Sequence, residues 1–313
     1  MTKCDFCPAF HAPAPLLVNQ HAPASPETGA SPAPIYRGAH THIGVFDSGL
    51  GGLSVLRALH ARLPEAELTY VADSGHAPYG ERDDDFIAER SHRICAFLLA
   101  RQVDVIVVAC NTATAAAIHL IRQTYPHVPV VGVEPGVKPA VAHSHNKRVG
   151  VLATPSTLSS DKYKRLIESY AQGALIVPQP CPGLAREIET GELDTPALRA
   201  LVERFSAPLK LAKVDTVVLG CTHYPFVRPL FAQALGPDVV IMDTADAVAA
   251  HTARLCSTSN SQKSAKPEKL ETSRRINHKS PSEVHLFSSG NPSHLAEVAK
   301  KWLGLEGSVS SFD

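Results

Sequence analysis

Two apolar runs rich in β-branched residues lie far apart in the chain and end in cysteine. Residues 105–109 precede Cys110, and residues 216–220 precede Cys221. Uncharged runs of this kind are typical of strands that are buried on both faces of a parallel sheet. Each thiol should therefore lie at the carboxyl end of a buried strand, which is the edge at which open α/β sheets bind ligands.

The two cysteines are also alike in their next residues. Each is succeeded by a small polar residue and a stretch compatible with a helix. The first N–H groups and the dipole of a helix lower the pKa of a nearby thiol. One such cysteine is more often an ordinary core residue, because free cysteine is among the most buried residue types. The repetition of the whole context favours a functional pair that faces one substrate from opposite sides.

Strand and helix signals alternate from Thr41 onward, which predicts βαβ units with parallel strands and right-handed crossovers. Besides the two runs before the cysteines, the predicted strands are 43–46, 68–71, 128–133, 148–153, 174–177, 239–242 and 283–287. The predicted helices are 53–59, 85–99, 158–170, 195–211, 245–255 and 294–303. Proline disrupts helix interiors, so we expect a break at Pro208.

Composition excludes several classes of protein. The 313 residues are 44% hydrophobic and 19% charged, with a formal net charge of +0, so neither nucleic acid nor an anionic membrane is an expected partner. No apolar stretch approaches the roughly 20 residues that span a bilayer. Seven scattered cysteines, an odd number, are typical of free thiols in a reducing compartment. These features predict a cytoplasmic protein.

Two polar segments interrupt the pattern. Residues 1–41 are rich in Pro, Ala and His and are expected to be a disordered tail. Cys4, Cys7 and His11 in this tail form only part of a zinc ligand set, so we predict no metal site, the alternative being a metal-linked role in stability or assembly. Residues 257–282 have almost no apolar side chains and are expected to be a flexible insert.

Candidate site residues follow other predicted strands. A Gly-rich turn over residues 47–52 follows the first strand, but it lacks the Lys-Ser/Thr of a P-loop and does not complete G-x-G-x-x-G. It fits a nest of N–H groups for a carboxylate instead, with Asp47 in the cleft or capping the helix. Tyr79 lies in a loop after the second strand and offers a hydroxyl to a carboxylate. His223, two residues from Cys221, is placed to handle protons. Hydroxyl and amide donors lie beside the thiols at Asn111, Thr112, Thr114 and Thr222.

The ordered set of motifs resembles the glutamate racemase family. The motifs are VFDSGLGG, ADSGHAPYGER, ACNTATA, GVEPGVKPA, GVLATPSTLSS, CPGLAREIE, GCTHYPF and LFSSGNP. Single motifs are weak, but the set containing CNT and CTH is highly specific, and it runs from about residue 43 to 303. The departures are the tail at residues 1–41, the insert at residues 257–282 and a GHA before Pro78, and none of them removes a catalytic position.

The resemblance implies two doubly wound, parallel-sheet α/β domains with the active site in the cleft between them. The first would comprise residues 42–134 and 245–313, including the insert, and the second residues 135–244. The implied activity is cofactor-independent interconversion of L- and D-glutamate for peptidoglycan synthesis. A homodimer is also implied.

The resemblance further implies roles for individual residues. Cys110, in CNT, would remove the α-proton of D-glutamate, and Cys221, in CTH, that of L-glutamate. Asp47 and His223 would assist the respective thiols and contact the substrate. The other implied substrate contacts are Ser48, Tyr79, Gly80, Asn111, Thr112, Thr154, Thr157, Glu189 and Thr222.

Three alternatives stay open at this point. A racemase of the same architecture acting on aspartate or another amino acid differs only in its pocket. A dithiol redox enzyme would join Cys110 and Cys221 in a disulfide, although neither strand end carries C-x-x-C. A periplasmic-type binding protein also has two α/β lobes, but it would not explain the paired thiols.

Overall fold

A computed structural model describes residues 41–261 and 283–312, which all belong to one compact unit. The predicted tail, apart from Thr41, and residues 262–282 of the predicted insert lie outside the described residues. The predicted start of the insert, residue 257, is too early, since the helix before it continues to Ser261.

The described residues form ten strands and eleven α-helices. In chain order, the strands are β1 (His42–Asp47), β2 (Glu67–Ala72), β3 (Val105–Val108), β4 (Val130–Gly132), β5 (Arg148–Ala153), β6 (Leu175–Pro180), β7 (Thr216–Leu219), β8 (Val240–Met242), β9 (Val284–Ser288) and β10 (Val309–Ser311). The helices are α1 (Leu53–Arg62), α2 (Asp84–Ala100), α3 (Asn111–Thr124), α4 (Val137–His143), α5 (Pro155–Ser159), α6 (Asp161–Tyr170), α7 (Leu184–Ile188), α8 (Pro196–Leu211), α9 (Arg228–Leu235), α10 (Ala245–Ser261) and α11 (Pro292–Leu303).

The strands form two sheets, both entirely parallel. A six-stranded sheet has the order β10-β9-β2-β1-β3-β4, and a four-stranded sheet has the order β6-β5-β7-β8. We call residues 42–132, 245–261 and 283–311 the first lobe, and residues 137–242 the second lobe. The domain boundaries at 134/135 and 244/245 stay a prediction.

Alternate strand residues point to opposite faces of each sheet, and helices cover both faces. In β3, Val105 and Val107 join a core with α1, α10 and α11, whereas Ile106 and Val108 join one with α2 and α3. The second lobe repeats this arrangement: α7, α8 and α9 lie on one face of its sheet, and α4 and α6 on the other. The predicted fold class, a doubly wound parallel α/β protein, is confirmed.

Several helices begin where a polar side chain can cap them. The Asp83 carboxylate accepts a hydrogen bond from Phe86 N at 2.8 Å, and the Thr195 hydroxyl accepts one from Leu198 N at 3.0 Å. Pro196 follows at the first helical position, where its missing N–H costs nothing.

Two local predictions are wrong. The helix predicted over 158–170 is two helices, because Ser160 is extended and its hydroxyl caps α6 by accepting from Tyr163 N. The break predicted at Pro208 does not occur, and α8 runs through it. Phe205 and Leu209, which flank Pro208, are both buried in the core, and this packing holds the helix together.

Candidate functional site

The two candidate thiols lie at the carboxyl ends of interior strands, one in each lobe. Cys110 follows β3 and is the N-cap residue of α3, as predicted. Cys221 follows β7 but precedes a short 3-10 turn, Tyr224–Val227, so the helix start predicted for it is wrong. Both residues are buried, with 5% and 7% of their surface exposed.

Cys110 is surrounded by polar groups of the first lobe. Its thiol donates to the Ser48 hydroxyl at 3.7 Å, and its sulfur accepts from Ala113 N at 3.4 Å. Burial and the Asp47 carboxylate raise the pKa of Cys110 well above its ordinary value, and the Ala113 N–H offsets only part of this. The lowered thiol pKa expected at this helix start is therefore wrong for Cys110, because desolvation outweighs the helix.

Asp47 connects the Cys110 side of the site to the second lobe. Its carboxylate is fully buried, accepts from Gly52 N at 2.6 Å, and receives the Ser48 and Thr222 hydroxyls at 3.4 and 3.5 Å. Burial raises the pKa of Asp47 and is only partly opposed by the positive charge of His223. A raised pKa suits a carboxyl group that exchanges a proton with its surroundings.

Cys221 belongs to a chain of three side chains. Its sulfur lies 3.5 Å from Nδ1 of His223, whose Nε2 bonds the Glu189 carboxylate. The same Glu189 oxygen accepts from Leu50 N at 2.6 Å, so this chain also reaches the first lobe. Burial lowers the pKa of His223, but the Cys221 sulfur and Glu189 together raise it well above its ordinary value. His223 is therefore held as an imidazolium between the Cys221 sulfur and the Glu189 side chain.

The Gly-rich turn packs closely against the side chains of His223 and Glu189. A Cβ atom on Gly51 would lie 2.3 Å from Nδ1 of His223, and one on Gly49 would lie 2.2 Å from a Glu189 oxygen. Both distances are shorter than any real contact, so only glycine lets the turn approach these side chains. The turn predicted as a nest for a carboxylate thus packs against a carboxylate of the protein itself.

Three hydroxyls link the lobes on the other side of Cys110. The Thr112 hydroxyl lies 3.1 Å from that of Thr154 and 3.3 Å from that of Thr157, and these two lie 2.9 Å apart. A Cβ on Gly80 would come within 2.8 Å of Thr154. Thr114, also named beside Cys110, points away and bonds the Val108 carbonyl.

Two further predicted site residues are buried here. The Asn111 side chain has a buried Nδ2 that makes no hydrogen bond to any other residue in 41–261 or 283–312. An unsatisfied buried donor costs about 1–3 kcal/mol, so a ligand atom is the natural partner for it. The Tyr79 hydroxyl is already engaged, since it donates to Asp73 at 2.5 Å.

Sequence reasoning missed the support beneath Tyr79. Asp73 is fully buried and receives two hydrogen bonds from the Arg90 guanidinium, at 2.7 and 3.0 Å. Burial alone would raise the pKa of Asp73, but the bonds from Arg90, Ser289 and Tyr79 hold it below its ordinary value. A signal was available, because Asp73 follows β2 as Asp47 follows β1. Arg90 lies on α2 and has no comparable sequence signal.

Apart from Thr114, the predicted site residues thus lie where the lobes meet. The two thiols interact electrostatically, since a negative charge on Cys221 contributes to the raised pKa of Cys110. Each thiol has its own ionisable partners, which are Asp47 for Cys110 and His223 with Glu189 for Cys221. Such an arrangement can remove a proton on one side of a bound molecule and deliver one on the other.

The paired thiols fit an enzyme that works by proton transfer, and comparisons with known proteins identify the chain as an isomerase that acts on amino acids. The sequence profile of the Asp/Glu/hydantoin racemases matches residues 52–252. The chain belongs to the Asp/Glu/hydantoin racemase family.

Individual relatives agree with this family. A glutamate racemase of Pseudomonas paraeruginosa is 51% identical over 216 residues, which cover 69% of this chain and 82% of the relative. One of Methylococcus capsulatus is 46% identical over 265 residues, covering 84% and 92%. The structure of Escherichia coli glutamate racemase, solved with L-glutamate and the activator UDP-MurNAc-Ala, has a TM-score of 0.73 at 28% identity. The superposition covers 87% of this chain and 98% of the Escherichia coli chain.

Proposed function

We propose that this protein interconverts L-glutamate and D-glutamate by a two-base mechanism in which Cys110 and Cys221 are the two thiols. The observation that carries the proposal is that corresponding strand ends of the two lobes each carry one buried thiol, and that the two thiols interact electrostatically. Inversion of a stereocentre by proton transfer needs a base on one face and an acid on the other. The glutamate racemases among the relatives support the choice of substrate.

The electrostatics suggest how the two thiols divide the work. The raised pKa of Cys110 keeps it protonated, as an acid requires. The His223 imidazolium, facing Cys221, favours negative charge on that sulfur, as a base requires. In this state Cys221 takes the α-proton of L-glutamate, and Cys110 delivers its proton to the opposite face. The reverse reaction begins from Cys110 as the base, with Asp47 nearby to share its proton.

The carbanionic intermediate needs stabilisation, because the α-proton is only very weakly acidic. Donors at several strand ends supply it by holding the substrate carboxylates. The Asn111 amide, which has no bond to a described protein atom, and the Ser48 hydroxyl are the candidates nearest Cys110. The other proposed substrate contacts are Tyr79, Gly80, Thr112, Thr154, Thr157, Glu189 and Thr222. Enclosure by the lobes limits exchange of the proton with water.

The product, D-glutamate, would supply peptidoglycan synthesis. No cofactor or metal is part of the proposal, and the substrate is a small molecule. We extend it to a homodimer in the cytoplasm, where reducing conditions keep thiols free, as are the five cysteines in the described ranges. Light scattering of the purified protein tests the dimer. None of the described helices is both long and apolar enough to cross a bilayer.

The deciding experiment is circular dichroism of L-glutamate incubated with purified protein, without added cofactor and with a chelator. We expect the signal to decay to zero, and in deuterated water the product should carry α-deuterium. Loss of activity on chelation, or a pyridoxal absorbance band that tracks activity, would overturn the cofactor-free mechanism. L-aspartate assayed in parallel tests the alternative, and faster turnover of aspartate would reassign the substrate.

A further inference from the structure

One face of α11 donates hydrogen bonds to the backbone of residues 189–192, the segment that begins with Glu189. His294, Val298 and Lys301 are spaced by four and three residues, so they share a face of the helix. Nε2 of His294 donates to the Glu189 carbonyl at 2.8 Å, and Lys301 Nζ donates to the Gly191 carbonyl at 3.3 Å. Helix α11 belongs to the first lobe, whereas the segment 189–192 belongs to the second lobe.

The contacts fix both the position and the shape of this segment. Glu189 is the C-cap residue of α7, at a helix end where carbonyl groups lose their helical partners, and His294 satisfies one of them. Gly191 has a φ of 86°, and a Cβ there would lie 2.9 Å from Cγ2 of Val298. Lys301 also bonds the Glu192 carboxylate at 2.7 Å.

The position of Glu189 matters because its side chain ends the series of contacts that runs from Cys221 through His223. The Glu189 carboxylate bonds Nε2 of His223, and His223 faces the Cys221 sulfur. The ionisable groups that face His223 are Cys221, Glu189 and Asp47. Among these, Glu189 has a backbone carbonyl that is bonded by His294 of the first lobe. His294 lies outside the racemase motifs.

We infer that His294 is a positioning residue for the Cys221 side of the reaction. It anchors the Glu189 backbone so that the carboxylate stays on the His223 imidazolium. The inference deepens the proposed function, on which the catalytic meaning of His223 rests, and it places a determinant of thiol chemistry on a C-terminal helix distant in sequence from both cysteines.

The test uses His294→Ala and His294→Gln in the full-length protein. Glutamine carries its amide nitrogen at about the reach of Nε2 and can donate to the Glu189 carbonyl, whereas alanine cannot. Alkylation by dilute iodoacetamide is followed separately at Cys110 and Cys221 by mass spectrometry from pH 5 to 9. In His294→Ala a displaced Glu189 lowers the pKa of His223, so Cys221 should need a higher pH to react.

We expect the Cys221 profile to move to higher pH in His294→Ala, the Cys110 profile to stay in place, and His294→Gln to restore the wild-type behaviour. Glutamate turnover should fall about tenfold or more in His294→Ala, in keeping with a small misplacement of a catalytic group. Glu297→Ala, an exposed change on the same helix, is the matched control.

Parallel shifts at both thiols, no shift at either, or equal behaviour of the alanine and glutamine variants would each overturn the positioning role. The alkylation measurement needs no substrate, so it tests the anchor even if wild-type protein does not racemise glutamate. Failure of the proposed function and failure of this inference therefore give different results.

Discussion

In the proposed mechanism, the chemistry depends on two buried thiols with different neighbours. Cys110 faces a carboxyl group of raised pKa, and Cys221 faces an imidazolium. The pKa of Cys110 is raised, whereas the Cys221 sulfur faces the positive charge of His223. Similar strand ends therefore differ in the ionisable side chains that surround the thiol.

Replacing either thiol by alanine should abolish racemisation, because one face of the substrate loses its acid or base. Serine at Cys110 or Cys221 should be nearly as damaging, since a hydroxyl is far less acidic than a thiol at neutral pH. Cys256→Ala removes a buried free thiol of α10 and should leave turnover unchanged. Circular dichroism of both enantiomers is the measurement, and substantial turnover by Cys221→Ala would contradict the two-thiol mechanism.

Gly51→Ala tests the close packing of the Gly-rich turn. The added methyl would lie 2.3 Å from Nδ1 of His223, so the ring must leave its place between Cys221 and Glu189. We expect turnover to fall about 100-fold and the free energy of unfolding to fall by about 1–3 kcal/mol. Gly307→Ala, where a methyl would meet nothing within 4 Å, is the control. Wild-type turnover in Gly51→Ala would show that the ring position is unimportant.

At the scale of elements, α8 is held by packing despite a proline in its interior. Pro208 has no N–H to bond the carbonyl one turn back, yet the helix continues to Leu211. The apolar face around Pro208 is buried against the four-stranded sheet, and this burial outweighs the lost hydrogen bond.

Pro208→Ala should therefore stabilise the protein by about 1 kcal/mol or more, because alanine restores the missing N–H and is the best helix former. Pro196→Ala on the same helix is the matched control. It should bring no gain, since the first helical position has no hydrogen bond to recover. Urea unfolding of the three proteins makes the comparison, and equal midpoints would mean that α8 has adapted fully to Pro208.

Much of the architecture was predictable because buried parallel strands are uncharged apolar runs between turns. Short or composite elements were not: β10 has only three residues and no buried run, and Ser160 divides a continuous apolar pattern. The residues gathered at the strand ends were predictable for the same reason as the strands. Their partners across the fold, Arg90 on α2 and His294 on α11, depend on tertiary packing that leaves no local pattern.

At the scale of the whole molecule, polar contacts between the lobes surround the site. Asp47 reaches Thr222, Glu189 reaches Leu50 N, and Thr112 reaches the two threonines Thr154 and Thr157. Trp302 adds an apolar contact, since it packs against both cores and lies 4.1 Å from the Phe226 ring between ring centres.

Stability should fall in acid partly through Asp73. Its pKa is lowered in the folded protein, so its contribution is fully present above the unfolded value of about 3.9 and is lost as the pH falls through the folded value. Asp73→Asn should lower the free energy of unfolding at pH 7 by about 3 kcal/mol. It should also make the melting temperature depend less on pH between pH 5 and 2.

Asp161→Asn is the control for this prediction. Asp161 is exposed and its pKa is also lowered, by Lys164, but a surface ion pair contributes little. Melting curves across the pH range should therefore superimpose on the wild type. An equally steep acid transition in Asp73→Asn would assign the acid sensitivity to other carboxyl groups.

The burial of both sulfurs has a kinetic consequence. Because only 5% of Cys110 and 7% of Cys221 is exposed, we expect a reagent to reach these sulfurs only while the lobes are apart. At high reagent concentration the rate of inactivation should stop rising and reach a plateau equal to the rate at which the lobes separate. The plateau rate of inactivation by iodoacetamide would then measure the rate of lobe separation. Saturating glutamate should lower this plateau rate.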